Sequence, residues 1–356
     1  MKLTKPIIVL AGVVLVLVIA AAIVSRRQPG KTETSGIRIV DMQYGQSDRS
    51  RSISAAMGMI QANEKLDGFF GSNESSAFGI LRALEQRNLA GKVKFVGFDA
   101  SEDLVQGLRQ KHVDALVVQD PFNIGFEAVH QMILHLQGKP VPKTFYTQLK
   151  LITLENLQTP EIQALINPPL DKYLNAPAKA NAKWRLAVVP KGTAHIFWQT
   201  VHAGAIAAGQ EFDAEITWKG TEDESKHAEQ ANIVEGFITA GVHGIVLGPT
   251  QADSQVPVIE KAVAKGIPVV IFDSGANTDK YVSFVATDNY KGGVLAAKEL
   301  YRLIGGKGNV AIVATMPGGA STTERERGFL QTMAKDYGVT SAETFLKTIG
   351  AKPEKK

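Results

Sequence analysis

Polar residues stand where apolar runs end. FFGSN closes on Asn73, VGFD on Asp99, LVVQD on Gln119 and Asp120, VVIFD on Asp273, and FVATDN on Thr287, Asp288 and Asn289. Carboxylates accept hydrogen bonds from hydroxyls, and amides both donate and accept. Such a set suits a polyhydroxylated ligand. Each residue alone also reads as the N-cap of the helix that follows it. Their recurrence at one topological edge favours a shared cleft. The stretch Thr193-Ala-His-Ile-Phe-Trp-Gln follows the apolar run LAVVP. Phe197 and Trp198 at a helix start read either as a core pair or as aromatic faces for the CH face of a sugar ring. His195 reads either as a donor to a ligand oxygen or as a structural residue.

Other motifs carry less chemistry. The glycine clusters GGKGN (305–309) and PGGAS (317–321) lack the spacing of a phosphate loop, and the first precedes a strand. HExxH and GxSxG are absent. His130 and His135 are five apart and do not share a helix face well. The sequon Asn73-Glu74-Ser75 falls at a strand end. With no cysteine in the chain, a thiol nucleophile, a disulfide scaffold, a Cys-ligated metal and a lipidated N-terminal Cys are excluded. No metal and no cofactor is expected.

Short apolar runs alternate with amphipathic stretches. The runs are Ile37–Met42, Gly68–Gly71, Val93–Phe98, Ala115–Val118, Arg185–Val189, Glu215–Trp218, Gly244–Leu247, Pro268–Phe272, Val282–Ala286 and Asn309–Ala314. The stretches between them have helical periodicity over 10–18 residues. Continuously apolar strands alternating with helices imply parallel sheets covered on both faces. Ten strands exceed one comfortable sheet, and Asn175–Lys183 (NAPAKANAK) reads as a linker. The expected fold is α/β, with two Rossmann-like lobes of parallel sheet. In such sheets ligands sit beyond the carboxyl ends of the strands.

The chain has 356 residues, 39 of them Lys or Arg and 35 Asp or Glu. Residues 1–27 carry four of the basic residues and no acid, leaving 35 basic against 35 acidic in the rest. A neutral body argues against a nucleic-acid-binding surface. Residues 6–24 are uncharged and apolar, and as a helix would span roughly 28 Å. Residues 1–27 therefore read as a signal peptide, favoured by Ala20-Ala21-Ala22, or as an uncleaved anchor, favoured by length and by Arg26-Arg27. Residues 28–35 read as a polar linker.

The motifs together resemble those of the type I periplasmic sugar-binding proteins, the group of ribose-binding protein and of the effector domain of lac-type repressors. PKGTAHIFWQTVHAGA, GIVLGPT, GIPVVIFDSG, VATDNYKGG and GNVAIVATMPG followed by STTERERGF are similar to that family's N-terminal half. GFFGSNESSAFGILRAL, VKFVGFDASEDL and ALVVQDPFNIGFEAV are similar to its C-terminal half. The halves stand in exchanged order, as in a circular permutation. AKDYG at 334–338 would run into IRIVDMQYG at 37–45, with Gly36 and Gly338 at the cut. The resemblance therefore divides the chain into a family C-terminal-half lobe with its hinge return at 36–174, a linker at 175–183 and a family N-terminal-half lobe at 184–338. It also implies that the cut severs an inter-lobe crossover. The tail 339–356 has no counterpart, and its Lys-rich end is expected to fray.

Carried over by residue, the resemblance implies that Phe197 and Trp198 sandwich the sugar ring and that Asp273 takes its hydroxyls. Arg325 matches the family's arginine, with Arg327 as the competing choice. Asn73, Asp99 and Gln119 match the amide, carboxylate and amide of the other lobe. The family's aromatic after the first strand of that half is not evident. Tyr44 lies nearby, and Gln46-Ser47 lies nearer the expected place. The resemblance implies a non-catalytic monomer in the periplasm, secreted or anchored to the inner membrane by residues 6–24. It would bind a monosaccharide-like ligand by hinge closure and serve an inner-membrane ABC permease. The alternatives are a membrane-tethered sugar sensor with a receptor partner, and a rearranged permutant that no longer transports. A lac-type repressor would need a headpiece where the hydrophobic run stands, and an enzyme would need a nucleophile–base pair.

Overall fold

A computed structural model describes residues 36–350 except 178 and 180. The expected signal or anchor at 1–27, the linker at 28–35 and the Lys-rich end at 351–356 lie outside the described residues. Among the described residues no helix is long and apolar enough to cross a membrane.

The described residues begin with β1 (Gly36–Tyr44), α1 (Arg49–Ala62), β2 (Gly68–Gly71), α2 (Glu74–Gln86), β3 (Lys94–Phe98), α3 (Glu102–Arg109), β4 (Ala115–Gln119) and α4 (Pro121–Leu136). Two short strands, β5 (Thr144–Thr147) and β6 (Leu149–Ile152), and two short helices, α5 (Pro160–Ile166) and α6 (Leu170–Leu174), come next. Then follow β7 (Trp184–Val189), α7 (Ile196–Glu211), β8 (Ala214–Trp218), α8 (His227–Ala240), β9 (Gly244–Leu247), α9 (Val256–Ala264), β10 (Val269–Phe272) and β11 (Phe284–Thr287). The last elements are α10 (Asn289–Leu303), β12 (Lys307–Ala314), α11 (Ala320–Lys335) and α12 (Thr340–Thr348).

These strands form two six-stranded sheets. The first has the order β1-β12-β2-β3-β4-β6 and the second β5-β11-β10-β9-β7-β8. Every pairing is parallel except that of β4 with β6. GFFG of β2, GIVL of β9 and VVIF of β10 are buried along their whole length, as strands covered on both faces must be. Each sheet separates two apolar layers. Phe69 and Leu84 lie on one face of the first sheet, and Phe70, stacked on Phe329 at 4.4 Å, lies on the other.

The sheets do not divide the chain at 175–183. β12 and α11 lie within 184–338, yet β12 sits in the first sheet between β1 and β2. The reason is pairing: Gly36 to Tyr44 run beside Lys307 to Ala314, with one register shift between Ile39 and Asp41, and Val310 to Val313 run beside Gly68 to Gly71. Conversely α4 packs on α7 and β10 of the second lobe. The chain passes between lobes near Asp120, Gln148 and Asp288, and again through 153–183. A cut between Gly338 and Gly36 would therefore lie inside the first lobe, not at an inter-lobe crossover.

The lobes repeat one plan. Read in chain order, β7 to β11 occupy the order 2-1-3-4-5 across the second sheet. The first sheet follows the same order only when β12 counts as first and β1 as second. In each lobe the helix after the first strand lies against a helix that has crossed from the other lobe, and a glycine pair lets the backbones touch. A Cβ on Gly125 of α4 would stand 1.9 Å from the Val201 oxygen of α7, and one on Gly204 equally close to the Phe122 oxygen. Gly293 of α10 and Gly328 of α11 meet the Arg325 and Tyr290 oxygens in the same way, at 1.9 and 2.1 Å.

The tail is ordered into α12. It packs on α11 and on the edge strand β1, where the Ile39 N–H donates to Ser341 Oγ at 2.9 Å. Val339 and Ala342 are fully buried. The helix thus covers an edge that would otherwise present unpaired groups.

Candidate functional site

The carboxyl ends of both sheets meet in one cleft. Ser47, Asn73, Glu74, Asp99 and Gln119 line it from the first lobe, with Ser321, Thr322 and Arg325 from α11. Lys191, His195, Phe197, Trp198, Glu224 and Asp273 line it from the second. Asp99 follows the fourth strand of its lobe and Asp273 the fourth strand of the other. Both adopt left-handed backbone, with φ of 69° and 60°. That conformation is unfavourable for a residue with a Cβ, and it marks the two turns as positions where the carboxylate outweighs backbone comfort.

In the second lobe Lys191 stands two residues after β7 and is 4% exposed. Its Nζ lies 2.9 Å from Asp273 Oδ2 and 3.5 Å from Glu224 Oε2, and it donates to Ser274 Oγ at 3.0 Å. Burial works against the ammonium, but Asp273 and Glu224 outweigh it and hold the lysine above its ordinary pKa. Trp198 is buried and donates its indole N–H to Glu224 Oε1 at 3.2 Å. Phe197 and Trp198 pack edge to face, with centroids 4.8 Å apart and planes at 87°. They present no parallel faces, so the expected sandwich between these two rings is not formed.

In the first lobe Asp99 accepts from Gln119 Nε2 at 2.6 Å and from the Glu74 N–H at 3.1 Å. Arg325 Nη1 lies 3.8 Å away. Burial pushes the Asp99 carboxyl above its ordinary pKa, against the pull of Arg325 and Gln119. Arg325 is fixed by Asn289 Oδ1 at 2.8 Å, by the Ser72 carbonyl at 3.1 Å and by the Phe98 ring, 3.9 Å beneath its guanidinium. Behind it Glu326 accepts from the Thr315 N–H and Ser72 Oγ, yet burial still raises its pKa to about 7.

Four bonds tie the lobes across the cleft. Thr287 Oγ1 donates to Gln119 Oε1 at 2.8 Å, and Lys191 Nζ to Ser321 Oγ at 3.3 Å. The Ser274 and Ser321 hydroxyls lie 2.9 Å apart, and His195 Nε2 donates to the Ser47 carbonyl at 3.2 Å. The space left among the charged groups is ≈ 30 Å³, room for about one water. A larger ligand at this point requires the lobes to part. Four carboxylates face Lys191 and Arg325 here, so the cleft suits a neutral or cationic ligand better than an anion.

Phe197, Trp198, Asp273, Arg325, Asn73, Asp99, Gln119 and His195 are thus brought together. Asn73 serves twice, capping α2 through Oδ1 to the Ser76 N–H and donating through Nδ2 to Ser47 Oγ. Tyr44 is not among them. It is held in the β1–β12 ladder opposite Ala314, before the chain turns toward the cleft, and Ser47 lines the cleft instead. Arg327 pairs with Glu324 outside the cleft. Lys191, Glu74, Glu224, Ser321 and Thr322 were not expected from the sequence. Lys191 obeys the strand-end rule that found Asp99 and Asp273, whereas Glu224 lies in a loop, TEDE, with no local signal.

Fold and site together define a two-lobed binding protein whose polar cleft lies at the strand ends of paired parallel sheets. A family model of the periplasmic binding protein domain matches residues 19–140 and 186–355, and the chain belongs to that family. It is 36% identical over 102 residues to the ribose import binding protein of Bacillus subtilis, covering 29% of this chain and 33% of that one. It is 31% identical over 164 residues to a D-ribose/D-allose-binding protein of Pseudomonas aeruginosa, covering 44% and 51%. A xylitol-binding protein of Mycolicibacterium smegmatis matches at 31% over 132 residues, covering 36% and 37%. The matches thus span a third to about half of these relatives' lengths. Among solved structures, a solute-binding protein of Agrobacterium vitis with bound D-fucose is 38% identical, covering 43% of this chain and 52% of that one, with a TM-score of 0.40.

Proposed function

We propose that this protein binds a sugar between its lobes and delivers it to an inner-membrane ABC permease from the periplasmic side. The observation that carries this reading is the convergence of Asp99 and Asp273, with Asn73, Gln119, Arg325 and Phe197, on one cleft. Carboxylates, amides and a guanidinium satisfy both the donor and the acceptor side of sugar hydroxyls. A sugar that replaces the four inter-lobe bonds with its own would favour the closed form. Binding and closure need no chemical step, so we assign no catalysis. The sugar-binding relatives support the ligand class.

We further propose that the chain is a circular permutant, with residues 6–24 directing export as a signal or an anchor. The shared strand order supports the permutation, since β12 and α11 fill the first-strand and first-helix places of a lobe whose second strand, β1, comes earliest in the described chain. Isothermal titration calorimetry of residues 28–356 against a panel of mono- and disaccharides tests the function. One saturable binding isotherm with a sugar supports it. Absence of heat with every sugar, while circular dichroism shows intact structure, overturns it.

A further inference from the structure

A second chamber opens from the cleft. It measures ≈ 420 Å³ and shares Glu74, Asp99, Gln119 and Phe197 with the charged site. The far wall is built by the segment that joins β6 to β7: Leu165, Ile166, Asn167, Pro168 and Leu170. Val105 and Ile196 extend the apolar lining, and Arg109 and Ser101 add polar groups. The Ser101 hydroxyl is buried and has no hydrogen-bond partner in the protein. The chamber lies within the range of about 300–1,000 Å³ typical of pockets that enclose whole organic ligands.

Resting on the sugar-binding reading, we propose that the ligand is a two-ring glycoside, a disaccharide or its equivalent, and not the single monosaccharide expected from sequence resemblance. One ring would meet Asp99, Asp273 and Arg325 when the lobes part. The second would lie in the chamber, with apolar side chains against its CH faces and Asn167 and Arg109 in reach of its rim. Phe197, common to both spaces, separates the two rings. The chamber wall comes from the connection between the lobes, so this connection sets ligand length as well as chain order.

Calorimetry on residues 28–356 compares each monosaccharide with its disaccharides and phenyl glycosides. A two-ring ligand is expected to bind at least about tenfold tighter than its parent monosaccharide. Ile166→Trp, which adds bulk to the chamber wall and narrows the space for a second ring, should cut that advantage severalfold or more and leave monosaccharide affinity within about twofold. Ile166→Ala, a milder change, should retain the preference and shows whether the site tolerates substitution. A monosaccharide that binds as tightly as any glycoside overturns the proposal while leaving sugar binding intact, as does Ile166→Trp weakening both ligand classes equally. No binding by any sugar removes the sugar-binding reading, and this one with it.

Discussion

The two lobes are alike in scaffold and different in charge. Both place an aspartate in left-handed backbone after the fourth strand, and both seat a crossing helix on a glycine pair. Yet Asp273 faces a buried lysine at 2.9 Å, whereas Asp99 is held by an amide and a backbone N–H, with its arginine 3.8 Å off. The repeated features are those that build the sheet edge and aim a carboxylate into the cleft. The features that differ decide what each carboxylate needs. Asp273 has a cation at 2.9 Å beside the Ser274 hydroxyl at 3.0 Å, whereas Asp99 rests on neutral donors.

That difference predicts unequal costs when the cations are removed. Lys191→Met leaves Asp273 and Glu224 buried without a countercharge and should cost about 3–5 kcal/mol in urea unfolding. Arg325→Met removes a partner from an aspartate that keeps two others, and should cost about 1.5–3 kcal/mol. If Arg325→Met is the more damaging, the contrast drawn between the lobes is wrong. The glycine pairs should show the lobes' likeness instead. Gly125→Ala and Gly293→Ala each drive a methyl against a backbone carbonyl and should each cost about 1–3 kcal/mol. A large cost in one lobe and none in the other would break the symmetry of the scaffold.

Changing pH should separate the lobes more gently. Glu326, in the first lobe, is raised to about 7 by burial. Below its unfolded pKa it is protonated in both states. Between that value and about 7 the unfolded chain has released a proton that the folded chain retains. Stability therefore falls as pH rises through this window, by at most about 1.4 kcal/mol per pH unit. Glu326→Gln should flatten the slope. Hydrogen exchange in β12 and α11 should report the loosening before exchange in β9 and β10 does.

The fold class was legible because buried parallel strands read as unbroken apolar runs, and α1 to α4 and α7 to α11 fell where the periodicity placed them. The membership of the lobes was not. Nothing local in GNVAIVA states that β12 pairs with β1, some 270 residues earlier in the chain. The strands β5 and β6 were missed because TFYT and LKLI are short and only partly buried. The helix α12 was read as tail because only Ala342 of its residues is fully buried. Site residues at strand ends were found by position. Tyr44 was misplaced because β1 pairs with β12 as far as Tyr44, and the chain reaches the cleft only at Ser47. Lys191 was missed because a lysine beside Pro190 and Gly192 reads as solvent-facing loop, and its burial depends on Asp273 and Glu224, distant in sequence.

The central claim is that one ligand is held by carboxylates from both lobes. It is tested most directly by measuring the affinity of the best sugar for the wild-type chain, Asp99→Ala and Asp273→Ala. Each loss of a charged hydrogen-bond partner should cost about 1.5–3 kcal/mol, or about tenfold or more in affinity. Affinity within about twofold of wild type in either variant, with the fold intact, would contradict a ligand shared between the lobes.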